Sequence, residues 1–141
     1  MASVIFHAHN QLQKNNYINL FKSHNPEYKD GGQMRDFIYV KDICDVIYWF
    51  MINRKHSGIY NLGTGNAETF EQLALNTITS SNKGGEIHYI DKPEDIREKY
   101  QYYTCANMNK LRLAGYDAPF YTLKYGIEDY IQNYLAAGNY L

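Results

Sequence analysis

Apolar and polar positions along this chain follow two periods in turn, one helical and one of two residues. After Ser3, the apolar Val4, Ile5, Ala8 and Leu12 share one face of a helix ending near Asn15-Asn16, and Ser3 is placed to cap it. INLF (18–21) makes a short strand. The polar run KSHNPEYKDGGQM that follows, with Pro26 and Gly31-Gly32, reads as an exposed loop. RDFIYV (35–40) alternates and is rich in aromatic and β-branched residues, which predicts a strand. Ile43, Val46, Ile47, Phe50 and Met51 then recur at helical spacing, with Asp42 and Asp45 near the start, where the helix dipole favours acids. GIYNLG (58–63) predicts a buried strand and TFEQLALNTI a helix, with Thr69 and Gln72 at capping-box spacing; EIHYI (86–90) is a further strand. DKPEDIREKYQYYTCA has no steady period and reads as loop. Asn107 is placed to cap a short helix running to Gly115, and Leu123, Ile127, Tyr130, Ile131, Tyr134 and Leu135 mark a final amphipathic helix. Strands alternating with helices, without internal repeats, argue for an α/β or α+β unit.

Length and charge narrow the classes of function. At 141 residues and 45% hydrophobic content, the chain suits one globular domain or one part of a larger one. Fourteen basic and 15 acidic residues leave a net charge of -1 with no basic block, so nucleic acid is not an expected partner. No apolar run approaches the roughly eighteen residues of a membrane span, and the first residues do not form a signal peptide, so a cytoplasmic location is expected. Cys44 and Cys105 lack C-x-x-C spacing, which fits a reducing compartment with both thiols packed in the interior. Fifteen tyrosines, against six phenylalanines and one tryptophan, supply rings that bury a body and keep a polar tip.

Three features invite a chemical reading. NLGTGNAETFEQLA imitates a dinucleotide-binding turn, with Asp91 at the end of the next strand. However, Glu68 stands at the third glycine position, where its carboxylate would face a pyrophosphate, and the turn reads as structural. His7 and His9 resemble a metal pair, but residues two apart on a helix point in different directions, so one packed and one solvated histidine is the expectation. His7 alone could offer a polar tip to a ligand above its helix. Arg35 heads a strand beside a polar loop: its guanidinium can present a fork to phosphate or carboxylate, or it can pair with Asp36, Asp42 or Asp45. G-x-S-x-G, H-E-x-x-H and P-loop motifs are absent from the sequence, and no tyrosine has a lysine four residues on, so no catalytic centre is expected in this chain.

The segments MASVIFH, RDFIYVKDICDV, SGIYNLGTGNAETFEQLA, YQYYTCANMNKLRLAGYDAPF and GIEDYI together resemble the carboxyl-terminal part of the ADP-L-glycero-D-manno-heptose 6-epimerase family, within the extended short-chain dehydrogenases. The resemblance runs from Met1 to about Leu135. It implies an α/β fold: the carboxyl-terminal part of a Rossmann-type enzyme, forming mainly the substrate-binding domain over residues 1–141. It implies NADP as cofactor, held mainly by an amino-terminal Rossmann portion, and a bacterial isomerase of lipopolysaccharide core biosynthesis. ADP-heptose is then the substrate and a homo-oligomer the expected assembly. Met1 resembles an internal methionine, so the chain is expected to be a fragment, inactive alone, with catalytic tyrosine and lysine upstream. A non-catalytic sugar-nucleotide binding module or an incompletely folded fragment are the alternatives. By position, the substrate contacts that the resemblance implies are His7, Phe21, Lys22, Ser23, His24, Arg35 and Tyr100. The family's usual glycine and small polar residue are replaced by Ser23 and His24, the loop to Arg35 is longer, and Asn107 stands where relatives often have aspartate.

Overall fold

Two apolar clusters organise the chain, one on a parallel strand pair and one around a helix and a glycine turn. The computed structural model describes residues 3–139, so Met1 and Ala2 of the MASVIFH segment lie outside the described residues. The elements run α1 (Val4–Asn15), β1 (Tyr17–Phe21), β2 (Met34–Arg35), α2 (Val40–Ile52), β3 (Glu68–Thr69), α3 (Phe70–Ser80), β4 (Glu86–Ile90), α4 (Glu94–Arg97), α5 (Asn109–Leu113) and α6 (Leu123–Tyr130). The last helix widens into a π-helical turn over Ile131–Leu135.

Strands β1 and β4 pair in parallel, from Tyr17 opposite Glu86 to Phe21 opposite Ile90. Helices α1, α3 and α6 cover the pair, and Ala8, Leu12, Ile18, Leu20, Leu73, Ala74, Leu123, Ile127 and Ile131 are buried together. The caps are the expected ones: Ser3 accepts from the Phe6 amide at 3.1 Å and Thr69 from the Gln72 amide at 3.0 Å. Asn107 opens α5 by accepting from the Asn109 amide at 3.0 Å. His9 is buried and His7 exposed, which separates the apparent metal pair.

Several expectations need correction. RDFIYV contributes only Arg35 to a ladder, the two-residue pair Met34–Arg35 against Glu68–Thr69, and its last residue, Val40, opens α2; GIYNLG joins no ladder among the described residues. Ile59 is 89% exposed, where a buried strand was expected. Nor is the 91–106 stretch wholly loop: it holds α4, and residues 102–104 flank β2 through Met34 N–H to the Tyr102 carbonyl (2.8 Å) and Thr104 N–H to the Met34 carbonyl (3.3 Å). Helix α2 buries Asp42 and Val46 and leaves Ile47 and Met51 at 54% and 63% exposure. Its apolar residues wrap around more than one face, so periodicity alone could not say which face packs. Beside that helix, Val46, Phe50, Tyr60, Leu62 and Leu111 line an open groove of about 480 Å³. Gly31 and Gly32, expected in an exposed loop, are buried; Gly31 takes a φ of +72° and has the Tyr89 ring 3.0 Å from where a Cβ would stand. Cys44 and Cys105 are both exposed and do not pack in the interior.

One carboxylate ties the strand head, the glycine turn and the returning chain together. Asp36 Oδ1 accepts from the Thr64 amide (2.7 Å) and the Thr64 hydroxyl (2.6 Å), and Oδ2 accepts from the amides of Gly65 (2.9 Å) and Ala106 (3.0 Å). A Cβ on Gly63 would stand against this carboxylate and the Ala106 methyl, so glycine is required there. Burial acts to raise the Asp36 pKa, but hydrogen bonds from the Thr64 hydroxyl and the Ala106, Thr64 and Gly65 amides outweigh it and hold the carboxyl below its ordinary range. Asp36→Asn is therefore expected to lower unfolding free energy by about 2 kcal/mol at neutral pH in urea titrations. Because the folded-state pKa is depressed, Asp36 contributes fully above the unfolded carboxylate range and loses its contribution as pH falls through the lowered value. The gap between wild type and variant should close on acidification, and a gap independent of pH would refute the account.

Candidate functional site

Where β1 ends, the chain passes into a loop whose backbone is held from three directions. Gln33, 1% exposed, donates from Nε2 to the Phe21 carbonyl at 3.1 Å and to the Lys22 carbonyl at 3.4 Å. The Ser23 amide donates to Asp30 Oδ1 at 2.6 Å, and the His24 amide to the Tyr102 hydroxyl at 3.0 Å. Parallel pairing continues one residue past β1, with Lys22 N–H donating to the Ile90 carbonyl at 2.9 Å. The loop therefore leaves β1 in a fixed direction, with Phe21, Lys22 and Ser23 half-buried and His24 exposed.

Arg35 lies on the β2–β3 ribbon, opposite Glu68. Its guanidinium donates to the Met34 carbonyl at 2.8 Å and to the Gln101 carbonyl, and stands 5.4 Å from the Tyr100 ring centre and 5.8 Å from that of Phe70. The ion-pair alternative is not adopted. Asp36 is engaged by the turn amides, Asp42 accepts from the Tyr121 amide at 3.1 and 3.3 Å, and Arg35 makes no ion pair among the described residues. Two carbonyls use two of the five guanidinium N–H donors, and the other three have no hydrogen-bond partner among the described residues.

Tyr100 joins this arginine to a second cation. Lys92, 1% exposed, holds Nζ 3.6 Å from the Tyr100 ring centre and 4.5 Å from that of Tyr102, and donates to the Tyr102 hydroxyl at 3.1 Å. Burial raises the Tyr100 pKa, with Arg35 opposing and Tyr102 adding to the shift. Burial also pushes Tyr102 up, but hydrogen bonds from Lys92 and the His24 amide prevail and leave its phenol below the ordinary value. Of the residues singled out in the sequence, Phe21 and Lys22 meet at Gln33, the Ser23 amide is held by Asp30, and His24, Tyr100 and Arg35 are joined through Tyr102 and Lys92. His7 stands apart, exposed on α1 with its ring edge-on to Phe6 at 5.8 Å. Lys22 forms an exposed ion pair with Asp91 at 3.4 Å, a contact of small energetic weight.

The linking residues, Gln33, Lys92 and Tyr102, were not legible in the sequence. A polar side chain at the edge of a glycine loop and a lysine after a strand carry no periodic signal, and only the run YQYY hinted at clustered rings. At the glycine turn, the amides of Thr64 and Gly65 donate to the protein's own Asp36 carboxylate. Among the described residues no helix is long and apolar enough to cross a membrane.

The NAD dependent epimerase/dehydratase family matches residues 1–63. The chain is similar to the ADP-L-glycero-D-manno-heptose-6-epimerase of Fusobacterium nucleatum subsp. nucleatum, 45% identical over 142 residues, covering 96% of this chain and 43% of the relative. It is also similar to the protein of the same name from Nitratidesulfovibrio vulgaris, 44% identical over 139 residues, covering 99% of this chain and 43% of the relative. The chain thus spans less than half the length of these curated relatives. Among solved structures it superposes on a UDP-N-acetylglucosamine 4-epimerase from Methanobrevibacter ruminantium with TM-score 0.77 and 16% identity, over 96% of this chain and 40% of the other. The Helicobacter pylori ADP-L-glycero-D-manno-heptose-6-epimerase superposes with TM-score 0.70 and 23% identity, over 94% of this chain and 38% of the other. At these identities the superpositions establish the fold alone, a mixed α/β unit matching part of a Rossmann-type chain.

Gln33→Leu keeps the volume of the buried side chain and removes the donor to both loop carbonyls. It is expected to cost about 1–3 kcal/mol in urea unfolding and to speed amide exchange in the 22–31 loop. Wild-type exchange rates in the variant would show that the loop is held some other way.

Proposed function

We propose that this chain forms the substrate-binding portion of an epimerase that inverts C6 of ADP-D-glycero-D-manno-heptose to give ADP-L-glycero-D-manno-heptose, a reading supported by its match to the NAD dependent epimerase/dehydratase family over residues 1–63 and by its 45% identity to a curated relative of that activity. The observation that carries this reading is the state of Arg35: a half-buried guanidinium with no carboxylate partner among the described residues, held by two carbonyls and the Tyr100 and Phe70 rings. A fork in such a setting favours a diphosphate, and the Tyr100 and Phe70 rings beside it supply apolar walls for a base or sugar. On the loop after β1 the exposed His24 offers a ring able to bond sugar hydroxyls, while the Ser23 hydroxyl donates to the Asn25 carbonyl at 2.8 Å.

NADP, when bound, supplies the reversible hydride acceptor for oxidation and reduction at C6. The filled glycine turn supports the view that this chain does not cradle the cofactor's pyrophosphate. Its residues bind and orient the sugar nucleotide, and the proton-moving groups belong to sequence outside these 141 residues.

Calorimetric titration of the chain with ADP-heptose is expected to show one-to-one binding. Arg35→Ala should weaken it by about ten- to a hundredfold, the loss of a charge-assisted phosphate contact. The chain alone should interconvert no epimers. Turnover by the isolated chain would relocate the catalytic groups, and an affinity indifferent to Arg35 would remove the anion site from this surface.

A further inference from the structure

Lys92 is among the most deeply buried large side chains of the protein, yet it carries an ammonium with no acidic partner among the described residues. A lysine that served only to fill space would be replaced at lower desolvation cost by an apolar side chain of similar length. What surrounds this charge is specific: the π face of Tyr100 at 3.6 Å, that of Tyr102 at 4.5 Å, and the Tyr102 hydroxyl at 3.1 Å. The same hydroxyl receives the His24 amide, and the same Tyr100 ring lies against the Arg35 guanidinium. The Lys92 carbonyl is itself anchored, accepting from Arg97 Nε at 2.9 Å, and the residue follows β4, which is in register with β1.

We propose that Lys92 is the positioning residue of the sugar-nucleotide site, fixing Tyr100 against Arg35 through its ring and the Ser23–His24 backbone through the Tyr102 hydroxyl. The inference rests on the reading of the Arg35–Tyr100 surface as that site and adds the group that sets its geometry. One charge then orients two walls of the pocket without touching the ligand, as an outer-shell partner does for the groups it orients. A tyrosine ring on a segment without regular structure would otherwise turn freely, and the loop amide at His24 would lose its acceptor.

The test uses the 141-residue chain, its Lys92→Met, Lys92→Arg, Tyr102→Phe and Arg35→Ala variants, and ADP-heptose as the titrant, with amide exchange at His24 measured alongside. Lys92→Met is expected to weaken binding by about tenfold, a loss that Lys92→Arg partly restores because a cation over the rings is retained. Tyr102→Phe keeps the ring and cuts only the hydroxyl link. It should speed His24 exchange and weaken binding several-fold, so the proposal stays testable even if Lys92→Met fails to fold. In Lys92→Met, NMR of the labelled phenols should show Tyr102 ionising at higher pH, a change that a packing defect alone would not produce. Wild-type affinity in both Lys92→Met and Tyr102→Phe, with Arg35→Ala still weak, would overturn the positioning role and leave the site reading intact. Affinity unchanged in all variants, or no binding by the wild type, would overturn the site reading and this proposal with it.

Discussion

The Asp36 carboxylate is the interaction on which the rest of the arrangement depends. Three stretches far apart in sequence meet at it: the residue after β2, the glycine turn at 63–65, and the chain returning at Ala106. None is held to the others by an extended ladder, since β2 and β3 are two residues each. A carboxylate accepting four hydrogen bonds replaces the sheet as the joint. It is stronger per contact than neutral pairing because the acceptor is charged. The Arg35 backbone precedes this joint by one residue, so the guanidinium's direction is set by a neighbour that has no need of its charge.

That arrangement explains why the local competition for Arg35 ends without an ion pair. Asp36 has one full set of donors from backbone and hydroxyl, Asp42 is buried against the Tyr121 amide, and burial raises the Asp42 pKa, with Tyr121 opposing and Asp45 adding to it. A carboxylate already committed to the Tyr121 amide is not available to a guanidinium. Arg35 turns instead to two carbonyls and two ring faces, contacts that fix its geometry without cancelling its charge.

What could be read from the sequence divides along a physical line. Helices α1, α3 and α6 bury a single stripe, and their position, caps and buried residues agree with the periodicity of Ala8, Leu12, Leu73, Leu123 and Ile127. Strands β1 and β4 were likewise legible, because each finds its partner within the chain. RDFIYV and GIYNLG have strand composition, and Tyr39 does take extended backbone angles, but a strand is defined by its neighbour and neither segment has one beyond Arg35 among the described residues. Alternation reports a preference for extended chain and says nothing of whether a ladder partner is at hand. The site divides the same way. Arg35 and Tyr100, singled out through resemblance, lie against each other, whereas Gln33, Lys92 and Tyr102 act by long-range contacts that leave no periodic trace.

The same reasoning separates two kinds of apolar exposure. Ile47, Met51, Ile52 and Ile59 lie near a groove walled by Phe50, Tyr60 and Leu62, on or beside a segment that joins no ladder among the described residues. Their exposure costs hydrophobic free energy of about 25 cal/mol for each Å² left in water, and no compensating contact appears among the described residues. The rings around Lys92 are placed otherwise. They are half-buried, they face a cation, and their order is tied to the loop that follows β1. Folding to bury apolar surface would favour filling the first region and emptying the second of charge. The chain does neither, so the placement of Lys92 and Arg35 is better understood through what their charges orient than through what they contribute to the core.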